Sequence, residues 1–79
     1  MKYPSGEDVR LGDRVKFGTW SHGTVVCSID DDQYSLDYPK SHWAYLGRGV
    51  MVLTDAAGLI HYEEPDSDME LVSRASETV

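Results

Sequence analysis

The chain predicts a mainly β protein: a small barrel or rolled antiparallel sheet of five short strands, with one short helix or 3₁₀ turn at about residues 39–46. Residues 14–17 alternate polar and apolar, and 24–29 carry β-branched residues, with glycine-containing turns around both. Residues 49–54, Gly-Val-Met-Val-Leu-Thr, form an uninterrupted apolar run of strand length. Strand-like stretches recur at intervals mostly under about a dozen residues, which suits a small all-β domain rather than βαβ units.

In the first strand Val15 and Phe17 point one way and Arg14 and Lys16 the other, the period of two of a half-buried strand. Gly12-Asp13 before it and Gly18 to Gly23 after it supply turns, which puts His22 in a hairpin turn. The second strand follows from Gly23 through Ile29. Asp30-Asp31-Asp32-Gln33 is a polar turn whose side chains bond their own backbone. From Asp37 to Gly47 the signals are helical: Asp37 or Tyr38 as N-cap, Pro39 near the first helical position, Trp43 and Leu46 on one face, and Gly47 just past the end.

The 49–54 run is expected to be the most central strand, and Asp55-Ala56-Ala57-Gly58 its turn. Residues 59–63 form a further strand stopped by Pro65, and Glu70-Leu71-Val72 a last one, against which the Ser67-x-x-Glu70 capping box competes as a helical turn. Val15, Phe17, Val25, Cys27, Val50, Val52, Leu59 and Leu71 carry the inward phase and are the expected core. One domain spans 1–73, and 74–79 is expected to be a disordered tail.

At 79 residues, such a chain buries only about 60–65% of the surface its unfolded form exposes. Its one cysteine, Cys27, permits no internal disulfide and sits in an apolar run as a small buried hydrophobe. The N-terminus lacks the apolar stretch of a signal sequence, and no window reaches the ~20 apolar residues of a membrane span, so a cytoplasmic protein is expected. Net charge is −7, unevenly spread. Residues 1–27 set Lys2, Arg10, Arg14 and Lys16 against Glu7, Asp8 and Asp13, whereas the acids outnumber the bases in both 28–46 and 47–79. Such a field repels phosphate backbones and anionic membranes and favours a basic protein partner.

Val9-Arg10-Leu11-Gly12-Asp13-Arg14-Val15 followed by Gly23-Thr24-Val25-Val26 resembles the opening of SH3-like small barrels such as the KOW and Tudor-like modules. In those modules a Gly-Asp-x-Val step precedes the first strand and a Gly-x-Val step starts the second. The resemblance covers Val9 to Val26 and implies a five-stranded SH3-like barrel. The KOW family's basic nucleic-acid contacts have no counterpart in the acidic remainder, so the resemblance is carried over for the fold.

No nucleophile elbow, P-loop or dinucleotide-binding turn is present, and His22, His42 and His61 have no nucleophile at a telling spacing, so the chain reads as non-enzymatic with no cofactor. Counting an EF-hand from Asp30 puts Tyr34 and Ser35 where a ligand and a glycine are needed. Asp66, Asp68 and Glu70 alternate but read as solvated loop carboxylates, and His22, His61 and Cys27 lack zinc-like spacing, so no metal is expected.

The aromatic content is high for so small a core: Trp20, Tyr34, Tyr38, Trp43, Tyr45 and Tyr62 compete for room that holds about three or four rings of ~150–250 Å² each. Exposed Tyr and Trp beside carboxylates recognise Arg and Lys by cation–π contact and ion pairing. The expected function is an acidic protein-binding module docking a basic partner. Its contacts would be Asp30, Asp31, Asp32 and Asp37 with Tyr38, Trp43 and Tyr45, and a second cluster of Glu63, Glu64, Asp66, Asp68 and Glu70. In size and acidity the chain is similar to the immunity or inhibitor proteins encoded beside bacterial toxins. The alternative is a Tudor- or KOW-like accessory module binding a peptide or nucleic acid within a larger assembly, with Trp20 and Tyr62 lining its pocket and Arg10, Arg14 and Lys16 as its basic edge.

Overall fold

The computed structural model describes residues 1–19, 21–64 and 67–74; Trp20, Pro65, Asp66 and the 75–79 part of the expected tail lie outside them. Strands β1 (Arg14–Phe17) and β2 (Ser21–Ser28) form the opening hairpin, with Arg14 opposite Thr24 and Phe17 opposite Ser21. Because Phe17 pairs directly with Ser21, the connection is shorter than the glycines imply. His22 is consequently a strand residue opposite Lys16 rather than a turn residue.

The other strands are β3 (Gln33–Tyr34), β4 (Val50–Thr54), β5 (Gly58–Tyr62) and β6 (Met69–Ser73). They form one antiparallel sheet in the order β5-β4-β2-β1-β6, with β3 added to β2. Mainly β with one short helix is therefore the fold, with six strands rather than five: two-residue β3 is too short to leave an alternation pattern. The central strand is β2, not β4. Continuous apolarity in β4 reflects burial on both faces, since Val50 and Val52 join one apolar cluster and Met51 another.

A bulge in β2 decides which face its residues serve. Val25 lies opposite Val52 and Cys27 opposite Met51, so Val26 is an extra residue. Val25 keeps the inner face with Val50 and Val52, while Val26 and Cys27 both go to the second cluster with Ile29 and Met51. Cys27 is buried as expected, on the opposite face from the one its strand phase predicts.

The inner cluster gathers Tyr3, Val9, Val15, Phe17, Val25, Val50, Val52 and Met69, with Met1, Tyr62 and Leu71 packed around it. Leu59 and Leu71, expected in the core, are only half-buried because they sit on the two edge strands. After a turn at 67–68 the stretch 69–73 is strand: fully buried Met69 lies opposite Phe17, and Glu70 turns outward opposite Lys16. Burying Met69 outweighs the local capping signal of Ser67 and Glu70. The ring of Phe17 in β1 stacks on Tyr62 in β5, so the sheet curls round the inner cluster. It is not closed: among the described residues β5 pairs only with β4, and β6 only with β1.

Between β3 and β4, helix α1 (Lys40–Trp43) runs into a 3₁₀ turn at Ala44–Leu46, within the expected range. Its N-cap is Pro39, with extended ψ 154° and no side-chain cap bond, so neither Asp37 nor Tyr38 caps it. Proline is suited to that entry because its φ is already near the helical value.

Candidate functional site

The segment from Asp30 to Gly49 is the excursion that carries the first set of expected contact residues, and it has an inner and an outer side. On the inner side Tyr34, Tyr38, Trp43 and Leu46, with Leu59 of β5, pack over Val26, Cys27, Ile29 and Met51. The Cys27 thiol donates to the Tyr38 carbonyl at 3.3 Å, and Ser35 Oγ donates to the Val26 carbonyl at 2.8 Å. Tyr38 and Trp43 face each other with centroids 6.1 Å apart and planes tilted 43°. Both rings are half-buried roof residues. On the outer side Leu36 is 99% exposed and Tyr45 78% exposed.

The carboxylates divide between structural and free. Asp30 accepts the Gly49 N–H at 3.0 Å and stands 3.4 Å from the Met1 amino group. The Gly49 N–H, ahead of the opposing effect of burial, holds the Asp30 carboxyl below the usual carboxylate range. Since the Gly49 carbonyl accepts the Ile29 and Asp30 N–H groups, this contact pins the two ends of the excursion together. Asp31 accepts Ser28 Oγ at 3.0 Å, and Asp32, at φ +56°, pairs with Lys40 Nζ at 2.8 Å. The hydrogen bond that Lys40 donates to Asp32 raises the Lys40 pKa. The Asp30–Asp32 turn is thus part of the fold, not a set of spare charges. Asp37 is exposed and has no polar partner among the described residues.

The second acidic set is carried by the ends of two strands, β5 and β6. Glu63 pairs with Arg48 at 3.4 Å, beside the excursion's return to β4, and neighbouring Glu64 is exposed without a partner among the described residues. Glu70 pairs with Lys16 at 3.3 Å on β6 and β1, and Asp68, whose carbonyl accepts the Gly18 N–H at 3.3 Å, lies at the start of that strand. Asp66 falls outside the described residues. Glu63 and Glu64 follow β5, whereas Asp68 and Glu70 lie at β6, and β5 and β6 are the two ends of the sheet order.

The basic edge of the alternative reading is largely occupied. Arg14 forms a two-pronged contact with Asp55, 2.5 Å at its shorter arm, and also reaches Thr24, while Lys16 is held by Glu70. Tyr62 faces inward on Phe17, away from these cations, which alternate to the outer face of β1. Trp20 lies outside the described residues. The His61 Nε2 stands 2.8 Å from the Arg48 carbonyl, and among the described residues no three His, Cys, Asp or Glu side chains converge as metal ligands.

The buried carboxylate of Asp13 is the feature that sequence reasoning missed. Its Oδ2 accepts the Tyr3 hydroxyl at 2.5 Å and the Arg10 N–H at 2.9 Å, and its residue is 1% exposed. Burial, reinforced by this bond, pushes the Tyr3 phenol far above its ordinary pKa. Arg74, assigned to the tail, instead folds back and donates to the Asp8 carbonyl at 2.9 Å. Within the Gly12-Asp13 turn pattern nothing distinguishes a buried aspartate from a solvated one, so no local signal could have found it.

Comparison of the chain with protein-family models, with curated proteins and with solved structures finds no match.

Proposed function

We propose that the chain is a non-enzymatic protein-binding module that docks a basic partner on the outer side of the excursion at residues 36–45. The observation that carries this is the exposure of Leu36 and Tyr45, 99% and 78%, on a segment whose other large apolar side chains are used as roof. Exposed apolar anchors beside free carboxylates are the ingredients of an interface: the rings and aliphatic groups desolvate, and the charges steer. Asp37 on the same excursion and Glu64 beside its return supply such charges. Tyr38 and Trp43 support the surface from below rather than acting as anchors.

The scaffold we assign to it is an SH3-like barrel left open along one seam. The curl that brings Phe17 to Tyr62, and the return of the last strand to pair with the first, support that assignment. In size and acidity the module suits an immunity- or inhibitor-type role, in which the partner is a protein with a basic cleft.

A titration of the isotope-labelled protein with synthetic peptides that interleave Lys or Arg with Leu and Phe tests the reading. Amide shifts confined to residues 36–46 and 63–64, weakened by salt and lost in Tyr45→Ala, are expected. Shifts centred on β1 and β6, or none with any peptide, overturn it.

A further inference from the structure

The sheet ends in two free edges, β5 and β6, and their main-chain geometry differs. Just past β4, the Asp55 N–H donates to the His22 carbonyl of β2 at 2.8 Å. Main-chain groups of successive residues in an antiparallel ladder point to opposite sides, so Leu53 also turns to β2, while Val52 and Thr54 turn to β5. Thr54 lies opposite Gly58 and Val52 opposite Ile60, and the Thr54 hydroxyl donates to the Gly58 carbonyl at 2.7 Å. Gly58, Ile60 and Tyr62 therefore face β4, and Leu59 and His61 each turn an N–H and a C=O to the open edge. Both residues are half-buried, and neither main chain has a hydrogen-bond partner among the described residues.

The β6 edge is closed by comparison. The Asp68 carbonyl accepts the Gly18 N–H, so the same alternation puts the main-chain groups of Met69 on the free side, and Met69 is fully buried. Val72 is an extra residue between Leu71 and Ser73 in the pairing with β1, a bulge. Cover and bulges are two ways in which proteins guard an edge; charges and proline within the strand are others. Strand β5, Gly-Leu-Ile-His-Tyr, contains no acid, lysine, arginine or proline, and its register against β4 runs unbroken from Gly58 to Tyr62. It is an unguarded template for a further strand.

Charge selects the occupant. Asp55 stands before β5, and Glu63 and Glu64 follow it. A second copy paired antiparallel on β5 would bring its own Glu63 and Glu64 towards the Asp55 turn, acid against acid, between two chains of net charge −7 each. A strand with basic ends meets opposite charge at both. We infer that the free edge of β5 accepts an extended segment of a basic partner, bonded main chain to main chain at Leu59 and His61, with an apolar residue beside Ile60 and Lys or Arg at its ends. Such strand addition takes affinity from main-chain bonds and specificity from alternate side chains. It uses neither Leu36 nor Tyr45 and does not depend on the surface at 36–45 binding a protein.

The capped peptide Lys-Arg-Thr-Val-Thr-Arg-Lys, titrated into the isotope-labelled protein and followed by amide hydrogen exchange, tests the inference. In the free protein the Leu59 and His61 amides should exchange at least about tenfold faster than that of Ile60, and saturating peptide should slow both at least about tenfold. N-methylation of the two threonines keeps every charge and side chain but removes two donors, and should weaken binding at least about tenfold. His61→Pro should weaken it as much while melting close to His61→Ala, because the N–H that proline lacks points away from β4. His61→Ala, which keeps that N–H, should bind like wild type. A His61→Pro protein that does not fold places the N–H on the β4 side and overturns the geometry. Equal binding of the N-methylated peptide, or Leu59 and His61 amides already slow in the free protein, overturns the proposal; slowing that grows with protein concentration assigns the edge to a second copy instead. Protection at 36–46 without 59 and 61 also overturns it and leaves docking on Leu36 and Tyr45 standing, whereas protection at 59 and 61 alone supports the edge and counts against that surface.

Discussion

Phe17 and Tyr62 stack with ring centroids 5.6 Å apart and planes 15° apart, although their strands are three steps apart in the order β5-β4-β2-β1. In a flat sheet three steps span roughly 14 Å. The contact therefore measures how far the sheet has curled, and it joins β1 to β5 across the inner cluster without a backbone hydrogen bond. Phe17→Ala should cost about 3–5 kcal/mol, as loss of a buried ring does. A double-mutant cycle with Tyr62→Ala, read from urea unfolding, should return a coupling of about 0.5–1.5 kcal/mol. A coupling of zero would mean that the strands approach without help from the rings.

Gly49 cannot be replaced by any larger residue without a backbone shift. It sits at φ +92°, and a Cβ there would collide with the Tyr62 carbonyl. Gly47, at φ +83°, has open space in the Cβ direction. Gly47→Ala should therefore cost about 1 kcal/mol, from backbone conformation alone, and Gly49→Ala about 3 kcal/mol or more. Equal losses in thermal melts would place the Gly49 backbone farther from Tyr62 than the structure has it.

Asp30 contributes stability that depends on pH. Its folded-state pKa is depressed, chiefly by the Gly49 N–H, so its contribution is complete above the unfolded value of about 3.9 and is lost as pH falls through the lower folded value. The melting temperature of Asp30→Asn should fall short of wild type at pH 7, and the gap should narrow as pH drops below about 4. A gap that stays constant down to strongly acid pH would show that the carboxylate charge is irrelevant to the contact.

Cys27 should be inert in the folded protein. Burial pushes its thiol pKa up, and its proton is directed at the Tyr38 carbonyl. At pH 8 a thiol reagent should react about two orders of magnitude more slowly than in urea-unfolded protein, because reaction waits on opening of the excursion. Fast native labelling would show that the roof of Tyr38 and Trp43 lifts readily.

Charge reversal separates the structural acids from the free ones. Asp37→Lys and Glu64→Lys remove carboxylates that have no partner among the described residues, so stability should change by about 0.5 kcal/mol or less while association with a basic peptide slows. Replacing Asp30, Asp31 and Asp32 together by lysine should instead lower the melting temperature, since the bonds to Gly49, Ser28 and Lys40 go with them. A fully stable triple variant would return the turn to the category of solvated loop.

The order of elements, the β character, the helical turn at 40–46 and most of the inner core follow from the sequence alone. Each depends on neighbours in the chain: Val15 and Phe17 alternate, Val50 to Thr54 run apolar, and Pro39 and Gly47 bracket a turn of helix. Pairing, phase and charge state were decided by the tertiary structure. The extra Val26 that sends Cys27 to the other face exists only because β2 must match β4, a strand more than twenty residues away. Whether Asp30 is a free charge or a clasp depends on Gly49, and whether Asp13 is solvated or buried depends on Tyr3 and Arg74. A carboxylate's type is written at its own position, whereas its burial and partners are set by groups distant in sequence that only the folded chain brings within hydrogen-bond reach.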